Sequence, residues 1–159
     1  MKKAFTLIEL IFVIVIIGLL ASIAVPKFLT TEVAASRSHL KSVIDSVQTE
    51  VDNIHGQWIL NDDYNWSNNG CELNTDTGYP KTLDNKGQYL FNCVLRQPVV
   101  SCQMDSSKYT DCFVEENQNE YKYYFSPDDY VKLEYNDTNG TIECANGSYN
   151  VDECKKILY

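Results

Sequence analysis

A long apolar run with one acid inside it constrains this chain more than any other feature. Residues Phe5 to Val25 read FTLIELIFVIVIIGLLASIAV, and Glu9 is the lone charge among them. As a helix rising about 1.5 Å per residue, the run spans about 31 Å. That length matches a hydrocarbon core of about 30 Å. Lys2 and Lys3 precede the run; the positive-inside rule keeps them cytoplasmic and sends the C-terminal bulk outward. Glu9 is the anomaly, because insertion scales assign about 3 kcal/mol to an acid at mid-membrane. A plain anchor has no use for it. A subunit that leaves the bilayer to pack beside its own copies does, since a buried charge is satisfied only by a partner.

Beyond Pro26 the periodicity changes. Leu29, Val33, Leu40, Ile44, Val47, Val51 and Ile54 recur at spacings of three and four, with one seven-residue gap that Ser36 fills. Ser38, Lys41, Asp45, Thr49, Asp52 and Asn53 occupy the other face, and Gly56 after His55 is a stop signal. The pattern predicts a nearly continuous helix from Phe5 to His55. Pro26 removes one backbone donor and is expected to kink it. From Gln57 the chain turns rich in Asn, Asp, Gly and Tyr, beginning with a long loop, Asn61 to Lys86. Segments Gln88 to Leu95, Val99 to Met104, Tyr109 to Glu115, Glu120 to Phe125, Tyr130 to Tyr135 and Thr141 to Cys144 then alternate as antiparallel strands do. Turns are expected at Ser126 to Asp129 and at Asn136 to Gly140. The fold class predicted is α+β: a long N-terminal helix, half transmembrane and half amphipathic, packed on a small antiparallel β-sheet head.

Cysteine chemistry places that head outside the cytoplasm. Cys71, Cys93, Cys102, Cys112, Cys144 and Cys154 include no C-x-x-C pair and no His at zinc spacing, so disulfides are the natural reading. Six cysteines allow about 15 connectivities. All the tyrosines but Tyr64 lie in the same region, and Tyr packing is expected to supplement a modest core. A net charge of -9 speaks against a nucleic-acid surface, although Lys81, Lys86 and Arg96 are available for a local patch. His39 and His55 stand alone on the helix and read as packing or surface residues. The chain has no P-loop, G-x-S-x-G or H-E-x-x-H, and an enzyme is not expected.

Ala4-Phe5-Thr6-Leu7-Ile8-Glu9 behind a short basic leader resembles the prepilin processing motif of type IV pilins and type II secretion pseudopilins. The resemblance covers roughly residues 1 to 30. It implies a leader at 1–4, cleavage between Ala4 and Phe5 by a prepilin peptidase, N-methylation of Phe5, and Glu9 as the assembly carboxylate facing a neighbour's amine. Gly18 and Pro26 sit where that family often loosens the helix. The family usually has Gly before the cut, where this chain has Ala4, the next smallest side chain. It also implies a filament-core helix at 5–25, an amphipathic helix at 26–56 and a β head at 57–159. Implied partners are copies of itself, other pilin-like subunits, an inner-membrane assembly platform and a separate ATPase. The implied location is the inner membrane with a periplasmic head, then a filament. The resemblance also favours a Cys144–Cys154 staple on a C-terminal tail with little secondary structure.

Other readings compete. Asp128, Asp129, Glu134 and Asp137, with Asn136 and Asn139, offer hard oxygen ligands to calcium, but the spacing is not an EF-hand and turn chemistry accounts for it; no cofactor is expected. Asn65, Asn136, Asn139 and Asn146 open N-x-Ser/Thr triplets. The first three have an acid two residues upstream, resembling the extended acceptor of some bacterial glycosylation systems, a match that chance explains in a chain so rich in Asn. A DNA-uptake pseudopilin is an alternative within the family. A secreted disulfide-rich binding protein cut after Ser22-Ile23-Ala24 is another, disfavoured by the charge within the apolar run and by Pro26. An uncleaved anchor leaves Glu9 unexplained.

Overall fold

A computed structural model of the chain describes residues 6–61, 66–85, 88–102 and 105–159, without the side chains of 24–31. Ala4 and Phe5 lie outside the described residues, as does the side chain of Pro26. The chain divides into two compact units, Met1–Ala35 and Ser36–Tyr159.

Helix α1 (Leu7–Leu60) runs through both units. In the first unit every described side chain from Thr6 to Ile23 is exposed. Among the described residues no helix is long and apolar enough to cross a membrane; the described apolar side chains from Leu7 to Ile23 rise about 25 Å. The apolar stripe becomes core only from Ser36 onward. Val33 is 51% exposed, whereas Leu40, Ile44, Val47, Val51 and Ile54 are buried. Gly56 does not stop the helix. His55 stacks on Tyr79 with ring centroids 3.9 Å apart, and Trp58 lies over Gly78, where an added Cβ would come 2.3 Å from the indole. These contacts hold the last turn through Leu60.

Two small ladders lie in and after the loop. Strands β1 (Ser67–Asn68) and β2 (Cys71–Glu72) pair antiparallel, as do β3 (Tyr89–Leu90) and β4 (Val99–Val100). A four-stranded antiparallel meander forms the main sheet: β5 (Cys112–Asn117), β6 (Glu120–Ser126), β7 (Asp129–Asn136) and β8 (Thr141–Ala145). Period-two alternation drives Phe113, Tyr121, Tyr123, Val131, Leu133, Tyr135 and Ile142 into the core. Its other face is charged. Lys122 and Lys132 stand directly opposite each other, a like-charge pair that Glu116 (2.6 Å from Lys122) and Glu120 (3.1 Å from Lys132) offset.

The structure departs from the sequence pattern in two further strands, and from the family resemblance at the tail. Gln88 to Leu95 is a strand only at Tyr89–Leu90, after which Phe91 takes φ 59° and Leu95 N–H donates to Phe91 O at 2.8 Å. Burial of Phe91 against Phe113 and Tyr121, together with the Cys71–Cys93 bond, overrides the alternation. The segment from Val99 is likewise short, with Val99–Val100 as strand and Met104 outside the described residues. The tail expected to lack structure forms helix α2 (Val151–Leu158), opened by a capping box in which the Asn150 side chain accepts from Glu153 N–H and Glu153 accepts from Asn150 N–H.

Candidate functional site

The N-terminal end of α1 is built around Glu9. Thr6 N–H and Thr6 Oγ1 both donate to Glu9 Oε2, at 3.2 and 3.1 Å, and Glu9 N–H donates back to Thr6 Oγ1 at 3.4 Å. This is a capping box, and it sets the carboxylate against the positive end of the helix dipole. The acid that looked unsatisfied in sequence therefore has local donors in the single chain. Sequence reading missed Thr6, although T-x-x-E ahead of an apolar run signals such a box. Ser22 Oγ donates to Leu19 O at 2.7 Å, which satisfies that hydroxyl within the apolar stretch. A Cβ at Gly18 would meet open space, so the fold of the single chain does not require glycine there.

Ser36 opens the head unit with a polar clasp. Its hydroxyl donates to Asp111 Oδ1 and lies 3.2 Å from Tyr123 Oη, which in turn lies 3.2 Å from His39 Nδ1. The Ser, His and Asp side chains tie α1 to the sheet edge through Tyr123. His55 is a packing residue sandwiched between Tyr79 and Trp58. The buried tyrosines of the meander share one pattern: ring in the core, hydroxyl on a different outlying segment. Tyr121 Oη donates to Asp84 at 2.7 Å, Tyr123 Oη to Ser36 O at 3.3 Å, and Tyr135 Oη to Pro80 O at 2.9 Å. Burial pushes all three phenols above their ordinary range, so they stay protonated and donate. Asp84 is buried, and that burial raises its carboxyl against the lowering effect of hydrogen bonds from Tyr121, Glu115 and Phe91 N–H.

All six cysteines pair with neighbours in sequence: Cys71–Cys93, Cys102–Cys112 and Cys144–Cys154. The last is the implied staple, holding fully buried Cys154 of α2 to β8. On the chain-entropy view each closure is worth about 3 kcal/mol. Of the calcium candidates, Glu134 and Asp137 line one hollow together with Glu143, and each candidate but Asp128 has a partner among the described residues. Asp129 accepts from Tyr149 Oη at 3.1 Å, Asp137 accepts from Asn74 Nδ2 at 3.2 Å, and Glu134 lies 3.7 Å from Lys132. Asp128 lies in the turn between β6 and β7. Among the described residues no group of three or more His, Cys, Asp or Glu side chains is placed to hold a metal ion. Lys81 pairs with Glu72 at 3.3 Å, and Lys86 lies outside the described residues.

Residues 1–25 match the family model of the prokaryotic N-terminal methylation motif. The chain is 33% identical over 110 residues to the fimbrial protein of Neisseria meningitidis serogroup A, an alignment covering 67% of this chain and 58% of that one. The fimbrial protein of serogroup B aligns with the same identity and coverage. The chain thus spans less than two thirds of the length of the curated relatives it matches. No solved structure matches it.

Proposed function

We propose that this type IV pilin-like chain is a structural filament subunit, held in the inner membrane by its N-terminal helix and drawn from there into a filament. The observation that carries this reading is the start of α1, where a row of exposed apolar side chains surrounds one carboxylate seated at the helix N-terminus. Such a surface is satisfied by lipid tails in storage and by like helices in a filament. Prepilin peptidase cuts between Ala4 and Phe5 and methylates the new amine of Phe5. An assembly platform driven by a separate ATPase then lifts the subunit out.

Glu9 directs docking. In the single chain its Oε2 takes two neutral donors from Thr6. A neighbour's N-terminal amine adds a full opposite charge to the hydrogen bond, in a surround with no water to compete. The capping box holds the carboxylate at the end of the helix, where an incoming amine can reach it. The head keeps its oxidised staples in the periplasm and stands on the outside of the filament. Pilus and secretion pseudopilus share this chemistry. The -9 charge and the pairing of Lys81 disfavour the DNA-uptake variant.

Mass spectrometry of the N-terminal peptide tests the reading. N-methyl-Phe5 is expected; a start at Val25 would identify a secreted protein instead, and an intact Met1 a plain anchor.

A further inference from the structure

Four asparagines open an N-x-Ser/Thr triplet, and filament assembly uses none of them. Asn65 lies outside the described residues. The other three differ in chemistry. Two residues before Asn146 stands Cys144, half of a disulfide and not an acid. The hydroxyl of Ser148 in that triplet is already engaged by the backbone of Tyr130 at 2.6 Å in both directions. Asn136 is itself a ladder residue, the last of β7 and paired with Thr141, so its own backbone is held in the sheet, whereas Asn139 lies in the turn and of its triplet only Thr141 belongs to the ladder.

Asn139 is different. It stands exposed in the turn between β7 and β8. Its Oδ1 accepts from Thr141 N–H at 3.1 Å and from the Thr141 hydroxyl at 2.7 Å, a hydroxyl shared with Glu143 Oε1 at 3.1 Å. Neither N–H of its carboxamide is hydrogen-bonded among the described residues. Asp137, two residues upstream, accepts at Oδ2 from Asn74, and its other oxygen has no hydrogen bond among the described residues. Acid, carboxamide and hydroxyl thus sit together on one turn. The turn is braced from below, since Gly140 lies against the ring of Tyr79 and Gln48 Nε2 donates to Gly140 O at 2.8 Å.

We propose that Asn139 is the acceptor of an N-linked glycan. The donor class is an oligosaccharide carried on a polyprenyl diphosphate, on the same side of the membrane as the oxidised head. Asn139 Nδ2 forms a bond to C1 of the first sugar, and the bond from C1 to the diphosphate oxygen breaks. The diphosphate leaves with the electron pair, and one amide proton passes to a base of the transferase. Asp137 supplies the carboxylate that a cationic site on the transferase reads, and Thr141 the hydroxyl beside the carboxamide. Asn146 is an internal control, an exposed matching triplet at the other end of β8 that lacks the acid.

The test is intact and peptide-level mass spectrometry of the protein isolated from its own cells. The expected result is a mass above the bare chain by whole sugar residues, located on the Asn139 peptide, with Asn146 unmodified. Asn139→Gln should remove the added mass. Asp137→Asn, which can still accept from Asn74, should cut occupancy at least tenfold, while Thr141→Ser should retain it. Melting curves of the variants within a few degrees of wild type exclude misfolding as the cause. A native mass equal to the bare chain, or sugar on Asn136 or Asn146 in place of Asn139, overturns the proposal.

Discussion

Asp84 is 6% exposed, and burial raises its carboxyl above the ordinary range while Tyr121, Glu115 and Phe91 N–H donate to it or share its proton. A carboxyl raised in the folded state binds its proton more tightly there than in the unfolded chain. Its contribution to stability is therefore complete below the ordinary carboxylate range and is lost as pH rises through the raised folded value. Asp84→Asn keeps an acceptor for Tyr121 and removes the ionisation. Thermal melts should show the variant gaining on wild type as pH rises from the ordinary carboxylate range through the raised folded value, and a difference independent of pH would contradict this. Gly140 makes a second residue-scale prediction. Its φ of 70° and the 2.3 Å approach to Tyr79 that a Cβ would make give Gly140→Ala a cost of about 2 kcal/mol. A glycine in open space such as Gly18 should tolerate Ala with no loss of head stability; equal losses at both sites would sink the distinction.

Among the elements, α2 shows how much the sequence carried and what it withheld. The meander was legible because period-two alternation and a firm Asn139-Gly140 turn agree with its burial. Buried α1 was legible because Leu40 to Ile54 keep helical spacing. Strands β1 and β2 were not legible, and β3 and β4 were legible in place but not in length, since their geometry is set by Cys71–Cys93, by Phe91 at positive φ and by aromatic contacts distant in sequence. Helix α2 had a local signal, N-x-x-E at Asn150 to Glu153, that went unread beside the expectation of an unstructured tail. Thr6 at the other end of the chain is a comparable case, since T-x-x-E at Thr6 to Glu9 is a capping signal that the charge of Glu9 alone does not disclose. Two measurements follow. Asn150→Ala should cost about 1 kcal/mol through loss of the cap, seen as a lower melting temperature. Replacing Cys144 and Cys154 together by Ser should remove hydrogen-exchange protection from α2 while β5 to β7 keep theirs; loss throughout the head would show that the staple supports more than the tail.

At the scale of the whole molecule, the core starts at Ser36 and the exposed apolar helix lies before it. A fragment from Ser36 to Tyr159 contains all three disulfides and, among the described residues, every buried hydrophobic one, so it should be soluble and unfold in one cooperative transition. A fragment that stays unfolded under oxidising conditions would show that the head depends on the N-terminal unit. The proposed function has lipid or neighbouring subunits cover the exposed apolar surface of the N-terminal unit, with Glu9 choosing the neighbour. The most direct test is the filament content of cells expressing Glu9→Val at membrane levels matched to wild type. Docking through Glu9 predicts normal membrane insertion with filament incorporation reduced at least tenfold, whereas incorporation equal to wild type would remove Glu9 from assembly.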